Sequence, residues 1–338
     1  MGKKVVRLNL WTDASFDRIL GASPHAELRV LDLKAPEPSL WEEFSQADIY
    51  HVSAAKDEVP PQWQVTRDLI QRCPRLACVS TSGAGYDTVD VPACTEHGIL
   101  VVNQAGGNAA SVAEMAFGLI LAVARRIVES DHLLKTASGF TREDLMGHEI
   151  NGKVLGLVGI GHIGRRAAQL GRAFGMEVLA YDPYLDAAEI QARGARAVAL
   201  DELLASSDVV SLHCPRNAET ANMFGQAAFG AMKRGALFIT TARGGIHDEA
   251  ALYDALAAGH LGGAGLDVWK IEPPPHDHPL LGLGNVVSTF HTAGVSHEGR
   301  RNVATIAAEQ IALLCAGGTP PRMINPEVLP AFQRRFQA

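Results

Sequence analysis

Val154-Leu155-Gly156-Leu157-Val158-Gly159-Ile160-Gly161-His162-Ile163-Gly164 decides the fold. Its first five residues form a short apolar run with the length of one buried strand. The next six match G-x-G-x-x-G, a weak signal alone. Here the glycines follow a strand and open a helical pattern, Ile163–Phe174, after which a second strand, Glu177–Tyr181, ends at Asp182, 18 residues past Gly164. Strand, glycine turn, helix, strand and acid in that order are the dinucleotide-binding fingerprint. Gly159 permits the tight turn, Gly161 lets backbone N–H groups approach a pyrophosphate, and Gly164 lets helix and strand pack closely. The helix start at His162 and Ile163 adds partial positive charge for the phosphates. Asp182 can accept hydrogen bonds from both adenosine ribose hydroxyls and would repel a 2′-phosphate, which predicts NAD rather than NADP.

Outward from this unit, short apolar runs alternate with helical patterns, the signature of parallel sheets covered by helices. Strands are expected at Val5–Leu10, Leu28–Leu33, Ile49–Val52, Leu76–Thr81 and Ile99–Val102, and a long helix from Asn108. Beyond the glycine turn they are expected at Ala195–Val198, Val209–Leu212, Leu237–Thr241, Ala264–Asp267 and Val286–Thr289, with a final helix from His297 to Leu314. If that helix packs back on the first hundred residues, the middle of the chain is an inserted domain. The expected architecture is α/β, with two doubly wound parallel-sheet domains. A Rossmann domain, 108–295, interrupts a second domain made of 1–107 and 296–338.

Composition agrees and excludes other classes. The 338 residues are 47% hydrophobic and 20% charged, unlike a disordered chain, and the 33 glycines show no collagen period. A net charge of −7 offers no basic footprint for nucleic acid or an anionic membrane surface. The longest apolar run, Met115 to Ala124, falls short of the about 20 residues a bilayer requires. Five cysteines, an odd number, read as reduced thiols in a cytoplasmic setting rather than a disulfide framework. His276-Asp277-His278 lacks a third ligand at helical or strand spacing and reads as a polar loop, so no metal is expected.

Three ionisable residues each lie just past an expected strand, where ligands bind in open α/β sheets: Arg243, Glu272 and His291. Hydride transfer to a 2-oxo acid needs a cation for the carboxylate, a proton donor for the oxygen and a group that tunes the donor. Arg243 can fork onto a carboxylate and polarise the adjacent carbonyl. His291 titrates near neutrality and can exchange the proton of the C2 oxygen, and Glu272 would raise its pKa and orient it.

With these residues in place, the sequence resembles the D-isomer-specific 2-hydroxyacid dehydrogenase family, in detail from Ser80 to Asn325. The matching stretches are Ser82-Gly83-Ala84-Gly85-Tyr86-Asp87, Asn108-Ala109-Ala110-Ser111-Val112-Ala113-Glu114, the glycine fingerprint, Leu212-His213-Cys214-Pro215, Gly265-Leu266-Asp267-Val268-Trp269, and the segments of Arg243, Glu272 and His291. The resemblance implies a flavodoxin-like substrate domain and an NAD-dependent enzyme interconverting a 2-oxo acid and a D-2-hydroxy acid. His291 would be the acid/base, Glu272 its partner and Arg243 the substrate anchor. Amides around Ser82, Gly83, Ala84 and Gly85 would hold the substrate carboxylate, and Asp267 would accept from the nicotinamide carboxamide. Pro215, Thr220, Ala242 and Gly294 would line the cofactor cleft. It further implies a homodimer through the Asn108 helix and the arm to Ile150.

Two departures bear on the substrate. Relatives acting on phosphorylated substrates carry an Arg where Val52 stands, and many have a regulatory domain that this sequence does not show. Relatives acting on glyoxylate or hydroxypyruvate close the pocket with a partner's aromatic residue, usually Trp; Phe140 stands nearest here and has no N–H. The first disfavours phosphoglycerate, and the second suggests a larger or more apolar side-chain pocket. The alternative is an NAD(H)-sensing, corepressor-like protein on the same fold, separable by assaying 2-oxo acid turnover. Formate chemistry is disfavoured, because formate enzymes resembling this family carry Gln where Glu272 stands.

Overall fold

A computed structural model describes residues 2–337. The chain divides into two compact units, one running to Asn108 and resuming at Ser296, the other spanning Ala109–Val295. In the first, strands β1 (Lys3–Leu8), β2 (Ala26–Leu31), β3 (Ile49–Val52), β4 (Cys78–Thr81) and β5 (Leu100–Val102) form an all-parallel sheet in the order β2-β1-β3-β4-β5. This is the flavodoxin-like order. The final long helix, His297–Cys315, packs on it: Ala304, Ala307, Ala308, Ile311 and Leu314 share a core with Val5, Ile49, Cys78 and Leu100. Alanines facing the sheet allow close approach, and Ser296 caps the helix by accepting from Gly299 N.

The second unit holds β6 (Val154–Val158), β7 (Glu177–Tyr181), β8 (Arg196–Ala197), β9 (Val209–Leu212), β10 (Leu237–Thr240), β11 (Gly263–Leu266) and β12 (Val286–Ser288). They form a parallel sheet in the order β12-β11-β10-β9-β6-β7-β8. From β6 the chain winds outward through β7 and β8, then returns to lay β9 on the other side of β6. That reversal is the Rossmann switch point. β6 and β9 are buried almost throughout, as strands covered on both faces must be, which explains their near-continuous apolar runs. The helix Ala109–Ala124 belongs to this core: Ala116, Phe117, Leu119, Ile120 and Ala124 pack with Leu155, Leu157 and Ile239.

Expected strand limits differ from the observed ones by up to two residues, at edge and interior strands alike. The expected Ala195–Val198 is reduced to Arg196–Ala197, because β8 is an edge strand paired only with β7. β1 begins and ends two residues earlier than expected, in register with β2 from Lys3↔Ala26 onward. No helix among the described residues is long and apolar enough to cross a membrane.

Candidate active site

The glycine turn joins β6 to the helix His162–Ala173. Gly159 has φ +89°, and a Cβ there would stand 2.8 Å from Cys214 N at the end of β9. A Cβ on Gly164 would meet Gly159 O at 2.2 Å, so only glycine lets the helix close on the turn. Around Gly161, by contrast, nothing lies within 4 Å of a built Cβ, and this residue caps the helix without a side-chain acceptor. The first amides of a helix have no partner within the helix, and space beside them suits a pyrophosphate. At the end of β7, Asp182 Oδ2 accepts from Ile160 N at 3.0 Å and Oδ1 from Tyr184 N at 3.2 Å. Each oxygen keeps acceptor capacity for a ribose hydroxyl. The donor and acceptor set therefore fits a dinucleotide.

Further residues gather at the same C-terminal edge. Pro215 follows β9, and its carbonyl accepts from Thr220 Oγ1 at 2.7 Å, so the two build one turn. Ala242 is buried after β10, and its carbonyl accepts from Arg243 Nη1 at 2.7 Å. Burial pushes the Cys214 thiol up to about 11, which suits packing and not nucleophilic chemistry. All five cysteines are free thiols.

His291 and Glu272 form the centre of the site. His291 Nδ1 lies 2.8 Å from Glu272 Oε2, and Glu272 Oε1 accepts from Trp269 N at 3.0 Å. Burial pulls the imidazole down, but the hydrogen bond and charge of Glu272 prevail, aided by Asp267 and opposed by Arg243, and hold His291 above its ordinary pKa. Burial raises Glu272, yet its bonds to His291 and Trp269 N and the Arg243 charge bring it below the ordinary carboxylate value. With Nδ1 committed to Glu272, Nε2 is the nitrogen left for proton exchange.

His291 sits at φ 46°, a left-handed conformation that a non-glycine residue adopts at a cost of order 1–3 kcal/mol. Asp267 holds it there. This carboxylate is 0% exposed and takes three donors: Thr289 Oγ1 at 2.6 Å, Thr292 N at 2.8 Å and Ala293 N at 2.9 Å. Its backbone carbonyl accepts from His291 N at 2.8 Å. Asp267 thus organises the loop from Thr289 through Ala293, with Gly294 next to it. A contact with a nicotinamide carboxamide would have to use the acceptor capacity remaining on Oδ2. Trp269 supports the same loop, donating from Nε1 to Thr289 O at 3.2 Å. Sequence reasoning singled out neither Trp269 nor Thr289, because their partners lie 20 and 22 residues away.

Ser82, Gly83, Ala84 and Gly85 lie in the first unit, past the end of β4. Ser82 Oγ accepts from Ala54 N at 3.2 Å, Gly83 O from Gln104 N at 2.9 Å and Ala84 O from Asn103 Nδ2 at 2.7 Å, so the loop is fixed by its carbonyl and hydroxyl oxygens. His278, from the polar loop 276–278, pairs with Glu249 at 3.3 Å. Among the described residues no group of His, Cys, Asp and Glu has the geometry to hold a metal ion.

Residues 117–293 match the family model described as D-isomer specific 2-hydroxyacid dehydrogenase, NAD binding domain. The chain is 42% identical over 275 residues to a D-3-phosphoglycerate dehydrogenase of Archaeoglobus fulgidus, covering 81% of this chain and 51% of that one. It is 36% identical over 318 residues to a glyoxylate reductase of Korarchaeum cryptofilum, covering 88% and 94%. The chain spans about half the length of the phosphoglycerate dehydrogenases it matches. The fold superposes on the D-lactate dehydrogenase of Aquifex aeolicus complexed with NAD and lactic acid, with a TM-score of 0.81 at 28% identity, covering 95% of this chain and 98% of that one.

Proposed function

The chain belongs to the D-isomer specific 2-hydroxyacid dehydrogenase family, and from that premise we propose that it is an NAD-dependent reductase of 2-oxo acids giving D-2-hydroxy acids. The observation that carries the reading is the His291 Nδ1–Glu272 Oε2 contact of 2.8 Å beside the charge of Arg243. NAD, held by the Gly159–Gly164 turn and Asp182, supplies the hydride carrier when bound. Arg243 anchors the substrate carboxylate and polarises the C2 carbonyl. His291, protonated, gives its Nε2 proton to the C2 oxygen as negative charge develops there. It leaves the step as neutral imidazole with Nδ1–H still on Glu272. In the reverse direction neutral His291 takes that proton.

Val52 is buried at the end of β3, and no cation stands at that position to favour a phosphorylated substrate. The reading therefore favours unphosphorylated 2-oxo acids. A kinetic panel with NADH tests it: glyoxylate, hydroxypyruvate, pyruvate, phenylpyruvate, branched 2-oxo acids and 3-phosphohydroxypyruvate. Turnover is expected on at least one unphosphorylated member, with a D product on chiral chromatography. Tight NADH binding without turnover on any would return the reading to an NAD(H) sensor, which nothing in the site favours.

We also propose a homodimer formed through the arm after Ala124. The helix Ile127–Thr136 buries none of its residues, and Leu134 and Met146 are 77% and 70% exposed. Apolar side chains so exposed on one segment suit a partner surface.

A further inference from the structure

Glu272 sits on an irregular segment, Trp269 to His278, between β11 and the short helix Pro279–Gly282. A carboxylate on such a segment keeps a fixed place only if something holds the segment. Behind it lies Glu249, the first residue of the helix Glu249–Ala257. Glu249 Oε1 accepts from Lys270 N at 2.7 Å, and Oε2 meets His278 Nε2 at 3.3 Å. One side chain thus grips the segment near both ends, two residues before Glu272 and six after it.

The histidine is suited to this task while neutral. His278 Nδ1 accepts from Leu280 N at 3.4 Å, which leaves the ring proton on Nε2, facing the Glu249 carboxylate. Its ring stands edge-on to Trp269 at 5.4 Å. Trp269 in turn donates its backbone N–H to Glu272 and its indole N–H to Thr289 O, two residues before His291. Glu249 and His278 are only 15% and 16% exposed, so a gap opened between them would leave poorly hydrated polar groups. His247, Asp248, Tyr253, Asp254 and Lys270 are the other titratable groups lining the same cavity of about 570 Å3.

We propose that Glu249 and His278 are positioning residues for the acid–base pair, a latch that holds the Trp269–His278 segment so that Glu272 stays against His291. This rests on reading His291 and Glu272 as that pair. Without the latch the segment gains freedom, and a hydrogen bond of 2.8 Å weakens steeply with a small displacement. His291 then loses the partner that keeps its pKa raised, while the glycine turn is untouched.

The test is an NMR pH titration of the His291 imidazole in the full-length protein. The resonance is assigned as the one missing from His291→Asn, and the same samples are used for kcat and NADH affinity. Glu249→Ala is expected to lower the His291 midpoint toward that of an ordinary imidazole. It is also expected to cut kcat about tenfold, a fraction of what general acid–base catalysis contributes, with NADH affinity unchanged. Glu249→Gln keeps a carbonyl for Lys270 N but presents an amide to His278, and is expected to recover part of both effects. His278→Phe keeps a ring against Trp269 without the bond, lowers the midpoint in the same direction, and carries the test if Glu249→Ala fails to fold. A wild-type midpoint retained in a folded Glu249→Ala, or in His278→Phe, overturns the latch. If the wild type turns over no 2-oxo acid and yet the midpoint falls in Glu249→Ala, the latch stands and the reductase reading fails.

Discussion

At the residue scale the proposed chemistry turns on one proton on His291. Because Glu272 raises its pKa, His291 stays protonated to higher pH than a free imidazole. Reduction needs the protonated form, so its kcat/KM should be flat below that raised value and fall as pH rises through it; oxidation should show the opposite limb. Replacing Glu272 by Gln removes the charge but keeps the shape. A pH–rate profile of Glu272→Gln is expected to show the reductive limb moved to lower pH, with kcat reduced about 10- to 100-fold. An unmoved limb would separate Glu272 from the ionisation. Asp182 is proposed to set cofactor choice in the same way. Competing NADH and NADPH kinetics should show strong NADH preference in the wild type, and Asp182→Ala should relax it. Arg243, Glu272 and His291 stood out in the sequence because each was expected past a strand in an open α/β sheet. Asp267 entered only through the family resemblance, as an acceptor for the nicotinamide carboxamide, and not as the clamp of the His291 loop. That role depends on Thr289, Thr292 and Ala293, brought to it by the pairing of β11 with β12.

Elements place these residues, and the element scale shows what sequence patterns can and cannot carry. β6, β7 and β9 have the limits their apolar runs suggested, since each is a central strand whose burial leaves little choice of residue. β8, paired on one side only, does not. The latch from Glu249 was invisible for a different reason: an acid opening a helix is accounted for by the helix dipole alone. Two consequences follow at this scale. Gly164→Ala forces a Cβ to 2.2 Å from Gly159 O. The turn must open, and calorimetric titration should find NADH binding weakened by at least about tenfold, the equivalent of about 1.4 kcal/mol. Asp267→Asn places an amide N–H group against Ala293 N or Thr292 N, each of which needs an acceptor. Chemical denaturation should show a loss of about 1–3 kcal/mol.

At the scale of the whole molecule, the likeness to family structures extends across both parallel sheets. What neither sheet explains is the exposed apolar arm. Light scattering on the purified protein should give twice the chain mass, and Leu134→Asp with Met146→Asp should shift it toward the monomer. The central claim, that His291 delivers the proton to a 2-oxo acid reduced by NADH, meets its most direct test in one comparison. Wild type and His291→Ala are followed side by side for NADH oxidation with the best 2-oxo acid of the panel, with NADH binding measured on the same samples. The account predicts that His291→Ala binds NADH as the wild type does and loses turnover by about 100-fold or more. Wild-type turnover in His291→Ala would contradict it.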